Sequence, residues 1–129
     1  MARALLIVLG ALLLAGCGGE KVVQPTGPVE GTLPKQEAAN PANGKAVFAS
    51  SGCGSCHTLK DAKASGKVGP DLDEALKSKD EAFIKKSISD PNAEIAQGFQ
   101  PNIMPQSYGT QLSSQQLNDL VAYLKTSTQ

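Results

Sequence analysis

The chain has 129 residues, enough for one small domain, and carries 12 basic against 12 acidic side chains. That balance gives no electrostatic argument for a nucleic acid or an acidic surface as partner. Aromatic residues are few (Phe48, Phe83, Phe99, Tyr108, Tyr123) and tryptophan is absent, so the core is short of bulky side chains and has room for a large apolar group.

Residues 1–16 have the pattern of a secretory signal. Arg3 supplies a positive start, and Ala4 to Leu14 is an apolar run of eleven residues, inside the roughly 7–15 of a signal core and short of the about 20 a membrane span needs. The run ends in Leu14-Ala15-Gly16-Cys17, which resembles a bacterial lipobox. That resemblance implies cleavage before Cys17 and a diacylglycerol on its thiol. The protein is then exported and lipid-anchored, without spanning, on the outer face of the cytoplasmic membrane, the periplasmic side in a two-membrane cell. Residues 18–39 hold four glycines and three prolines with no hydrophobic period. Residues 17–39 therefore read as a lipidated cysteine and a flexible linker, the linker about 25 Å across as a coil and about 70 Å when stretched.

The folded domain is expected at 40–129. Asn40-Pro41 is an N-cap followed by proline at the first helical position, opening a helix to about Ser50 with Val47 and Phe48 on it. Gly44 in its middle costs helix propensity and points to a close backbone approach. Gly52 ends the helix in the left-handed region. Then comes Cys53-Gly54-Ser55-Cys56-His57, the C-x-x-C-H pattern of covalent c-type haem attachment. Two thiols at this spacing each add to one vinyl group of the same haem, and the histidine that follows is held under the iron. A zinc site would need about four ligands, and only Cys17 is left to supply one. A redox pair would need a βαβ setting that nothing here suggests.

Residues 58–69 read as a polar loop with Lys60, Lys63 and Lys67, and Gly69-Pro70-Asp71-Leu72 leads into a short helix. Ser78 is the expected cap of a helix over about 79–89, with Phe83, Ile84 and Ile88 at helical spacing and Asp90-Pro91 as its stop. From Ile95 to Asn118 there is no charged residue in 24, and the stretch reads as an ordered loop. Ser113 and Gln116 then form a capping box for a last helix whose Leu117, Leu120, Val121 and Leu124 make one apolar stripe.

His57 is the chain's only histidine, and Met104 is the only methionine besides Met1. Bis-histidine ligation is thereby excluded, and Met104 is the candidate sixth ligand, the alternatives being an open or a lysine-ligated iron. His/Met ligation raises the potential of haem. Filling both axial positions favours one-electron transfer over catalysis, so the expectation is that the protein is not an enzyme. The contrary reading is a haem peroxidase or gas sensor with a labile methionine.

Together these residues resemble a class I c-type cytochrome over about Asn40 to Lys125. The resemblance implies an all-α fold of about four to five helices around one covalently bound haem c. Gly44 and Phe48 resemble the family's N-terminal helix, and Leu120 and Tyr123 the C-terminal helix that crosses it. Pro70 resembles the proline whose carbonyl receives the proximal histidine's hydrogen, and Met104-Pro105 the ligand loop. Ser89-Asp90-Pro91-Asn92-Ala93 through Gly98-Phe99 to Pro101-Asn102-Ile103-Met104-Pro105 is similar to the cytochrome domain fused to subunit II of bacterial caa3-type oxidases. One histidine cannot build a dinuclear copper centre, so the resemblance implies that domain standing alone. It implies a monomeric, membrane-tethered carrier between a quinol-oxidising complex and a terminal oxidase, or a fixed subunit of such a complex. In this fold the methionine loop forms one lip of the exposed haem edge. The uncharged lip here implies docking by apolar contact rather than lysine steering.

Overall fold

A computed structural model of the chain describes residues 37–129. The signal, Cys17 and the linker up to residue 36 lie outside the described residues. Among these residues five helices occur in chain order with a two-stranded hairpin between the first two: α1 (Pro41–Ser50), β1 (Thr58–Leu59), β2 (Ala64–Ser65), α2 (Leu72–Ala75), α3 (Glu81–Ser89), α4 (Tyr108–Gln111) and α5 (Ser114–Ser127). The all-α expectation holds, since the strands are two residues each, pairing Thr58 with Ser65 and Leu59 with Ala64. None of these helices is long and apolar enough to cross a membrane.

The helix ends follow their local chemistry. The Asn40 side chain accepts the Ala42 amide at 2.9 Å, with Pro41 at the first helical position. Ser113 and Gln116 bond reciprocally, at 3.2 and 2.9 Å, to start α5. The cap of α3 differs from the expected Ser78. Asp80 takes that role, its carboxylate accepting the Phe83 amide at 2.7 Å. An acid at this position both fills the third orphan donor and meets the positive end of the helix, while Lys79 is drawn into a turn on Leu76. Two elements stand where loops are expected. The hairpin is too short to show a period, although it buries Leu59 completely. Helix α4 is a single turn inside the uncharged stretch.

The core lies between α1, α3 and α5, with the stripe Leu117, Leu120, Val121 and Leu124 buried as expected beside Val47, Phe48, Ile84 and Ile88. Helices α1 and α5 cross at Gly44. A Cβ there would fall inside the Asp119 carbonyl and within 2.7 Å of the Tyr123 Cβ. Phe48 and Tyr123 meet edge to face one turn on, centroids 6.0 Å apart. Asp119 is 4 % exposed, an acid on a helix that the apolar stripe did not flag. It accepts the Asn40 amide at 2.8 Å and the Gln115 side chain at 2.9 Å, so its burial is compensated.

The Tyr123 hydroxyl leaves the core to donate to Asp61 at 2.7 Å, and Lys45 donates to the same carboxylate at 2.8 Å. Burial, then the Asp61 bond, pushes the Tyr123 phenol from 10.0 up to about 12. The Lys45 and Tyr123 bonds hold the Asp61 carboxyl below its usual value.

Two outcomes are expected. Alanine is about 1 kcal/mol better than glycine in a helix, so an open site would make Gly44→Ala stabilising. Overpacking of the crossing reverses that sign and lowers stability by about 1–3 kcal/mol, read from urea midpoints. For pH, a raised tyrosine pKa means that the fold favours the neutral phenol. That contribution is complete below 10 and is lost as pH rises through about 12. The Asp61 contribution has the opposite sense, present above 3.8 and lost as pH falls through its lowered value. Tyr123→Phe should therefore show a smaller loss of urea midpoint between pH 9 and pH 12 than the native chain.

Candidate functional site

Cys53, Cys56 and His57 sit on one tight turn directly after α1. Gly52 adopts φ +72°, the left-handed backbone that glycine accepts freely, and turns the chain out of the helix. Cys53–Ser55 then form a 3₁₀ turn, closed by the Cys56 and His57 amides on the Cys53 carbonyl at 3.2 and 3.0 Å. Both cysteines are free thiols and half-buried. Burial raises the Cys53 thiol pKa, a penalty on the thiolate that a thioether would not feel.

His57 is fixed from two sides. Its Nδ1 lies 2.9 Å from the Pro70 carbonyl. A carbonyl only accepts, so in the neutral ring Nδ1 carries the hydrogen and Nε2 is left with its lone pair. The ring also rests against Gly69, where a Cβ would come within 2.5 Å of Cε1 and 2.8 Å of Nδ1. The Gly69 amide donates to the Cys56 carbonyl at 2.8 Å, and the Thr58 hydroxyl to the Gly66 carbonyl at 2.8 Å. Residues 66–70 are thus laced to 56–58. The packing role of Gly69 and the hydroxyl of Thr58 were not read from the sequence, because each depends on a loop returning to the histidine.

Met104 stands apart from this group. It is half-buried in the connection between α3 and α4. Its carbonyl accepts the Gln106 side chain at 3.0 Å, and no hydrogen bond joins it to residues 53–70. Nearby, Tyr108 packs against the core and donates its hydroxyl to the Ser51 carbonyl at 3.1 Å. Burial raises its pKa, so it stays a neutral donor.

The donor set fits a c-type haem. Two unpaired thiols on one turn match two vinyl groups, and an imidazole with Nδ1–H committed leaves Nε2 for iron. Among the described residues no three His, Cys, Asp or Glu side chains gather to form a metal cage of their own. Among the described residues the two most exposed large apolar side chains are Val68 and Ile103, at 55 and 56 %. One lies two residues before Pro70 and the other directly before Met104, so apolar surface flanks both candidate ligand segments.

A family model described as Cytochrome c matches residues 41–128. Among solved structures the chain is similar to the crystal structure of the c-type cytochrome SorU from Sinorhizobium meliloti. It is 28 % identical to that protein with a TM-score of 0.52, covering 68 % of this chain and 90 % of that one. No curated protein matches the chain.

Gly69→Ala is expected to displace the imidazole, lowering stability by about 1–3 kcal/mol and shifting the visible spectrum of the haem-loaded protein. Pro70→Ala keeps the carbonyl and loses only a backbone restraint, a cost of about 0.4–1 kcal/mol, with the spectrum unchanged. Urea titration and absorbance on the two variants check the contrast.

Proposed function

The chain belongs to the cytochrome c family, a monohaem class I cytochrome c with covalently bound haem c that carries electrons, and we propose that it does so as a membrane-tethered carrier of a respiratory chain. On this reading Cys53 and Cys56 would hold the haem covalently and His57 and Met104 would bind its iron. Cys17 carries the lipid on the outer face of the cytoplasmic membrane. The bound group supplies reversible one-electron chemistry between ferric and ferrous iron.

The observation that carries the reading is the Nδ1 contact of His57 to Pro70 at 2.9 Å. Hydrogen bonding there orients the ring and increases the donor strength of Nε2. Scarcity supports sulfur ligation by Met104, since no second histidine exists. A soft, neutral thioether favours the ferrous state and raises the potential. With His57 and Met104 both bound, the iron would offer no site for a substrate, which would separate the carrier from a peroxidase or gas sensor.

Partners are proposed from the same features. The donor is a quinol-oxidising complex and the acceptor a terminal oxidase, as the likeness to the caa3 subunit II domain suggests. That likeness also supports a second reading, a fixed cytochrome subunit, which stoichiometric co-purification with a complex would favour. The monomer is proposed to dock through an uncharged surface. Ile95 to Asn118 has no charge, and a concavity of about 480 Å³ formed mostly by it is lined by residues such as Ser51, Pro105, Tyr108 and Gln111, none charged.

Met104→Ala should leave haem attached, lower the potential by on the order of 0.1 V or more within the ≈ 0.8 V range that axial ligands span, and let the ferrous protein take up carbon monoxide readily. The native protein should resist it; ready uptake at neutral pH would support the sensor or peroxidase instead. Cys17→Ser should release a soluble, still coloured protein from the membrane fraction, and continued attachment would refute the lipid anchor.

A further inference from the structure

The connection from Asp90 to Ser107 carries Met104 with little regular structure. Backbone bonds within it close short turns, Ala93 on Asp90 at 3.0 Å and Phe99 on Ala96 at 3.1 Å. From Gln100 to Ser107 the backbone makes a turn at Pro101–Asn102 and no regular helix or strand. One feature ties this stretch back. The Asn102 amide donates to Asn92 Oδ1 at 2.9 Å, and Asn92 Nδ2 donates to Asn102 Oδ1 at 2.6 Å.

Chemistry sets the direction of both bonds. A backbone amide can only donate, so it takes the carbonyl end of the Asn92 side chain. The NH₂ end is then left for the Asn102 oxygen. Asn92 is a firm post: it follows the end of α3, with Pro91 buried and the Asp90 amide bonded to Lys86 at 2.8 Å. Asn102 is at φ +62°, a region asparagine tolerates better than most residues and one that persists where the surroundings over-determine it. Here the surroundings are the clasp, which holds both the backbone and the side chain of that residue. Met104 is two positions further on.

We propose that Asn92 and Asn102 are positioning residues for the iron ligand: their paired bonds hold the turn that presents the Met104 thioether. This rests on Met104 being the sixth ligand. Neither asparagine touches the reacting atoms. Both are exposed, so water competes for the bonds, and the clasp sets how often the thioether leaves rather than whether the domain folds.

The test uses the haem-loaded protein and three variants. Carbon monoxide must wait for the thioether to leave, so its binding rate to the ferrous form reports the ligand-off fraction. Asn92→Ala loses both bonds and should raise that rate by about tenfold, the effect of one to two exposed hydrogen bonds. Asn102→Gly keeps the left-handed backbone and the amide bond and should raise it by about threefold. In both, the sulfur–iron absorption band should vanish at lower urea while the helical circular dichroism midpoint stays put. Unchanged rates and band in both variants, with the band abolished in Met104→Ala, would overturn the clasp alone. Band and helix signals falling together at lower urea would also overturn it, as a general loss of stability. A band that survives in Met104→Ala would overturn the ligand reading and the clasp with it.

Discussion

The structure depends on how closely α1 can approach α5. Gly44 has no side chain, so the backbone of Asp119 lies against it. The carboxylate of the same Asp119 reaches the Asn40 amide at the start of α1. One residue of the last helix therefore grips the first helix through both main chain and side chain. Phe48 and Tyr123 fill the space alongside, and the Tyr123 hydroxyl extends the contact to Asp61 in the turn between β1 and β2. Closing the two ends of the domain on each other leaves residues 52–113 as a long excursion. Every haem-site candidate in the described residues lies on that excursion, which is where a site has freedom of shape while a packed scaffold holds its ends.

The two sides of the site are held by different means. On the histidine side the lacing is dense and local, running from the 3₁₀ turn through the Cys56 carbonyl to Gly69 and Pro70. Close packing of the ring on Gly69 leaves little room for rotation. On the methionine side, backbone bonding is sparse and the turn hangs on side-chain amides. On the proposed ligand reading, an arrangement of this kind would make His57 a fixed reference and Met104 adjustable. On that reading, substitutions in the 92–104 stretch would tune ligand lability without disturbing the packing of α1 on α5.

The sequence was most legible where the cause is short-ranged. The Cys53 to His57 pattern named the cofactor because porphyrin geometry sets the spacing. The Asn40-Pro41 start, the Ser113/Gln116 box and the stripe from Leu117 to Leu124 follow from helix geometry alone. Gly44 was legible as a penalty that needed a reason, although Asp119 as the opposing group was not. What stayed hidden needs two distant segments at once. Asp119 looks like an ordinary polar position until the Asn40 amide is brought to it. Asn92 and Asn102 look like loop residues until the chain folds back by ten positions. Helix α4 is one turn with no apolar period, and the hairpin is two residues on each side. Asp80 displaced Ser78 as the cap: both are good caps, and the acid also meets the positive end of the helix.

Charge and tether belong to one argument on the proposed reading. A free carrier gains from long-range steering, since charge complementarity raises encounter rates and weakens as salt rises. A carrier held to a membrane surface already meets membrane partners at a high effective concentration set by its linker. Steering then adds less, and a charged rim would add a desolvation cost at each encounter. An uncharged stretch from Ile95 to Asn118 suits that situation, with Ile103 exposed beside Met104 as an apolar contact. Such a surface would make contacts that depend little on ionic strength, as a tethered relay between membrane partners allows.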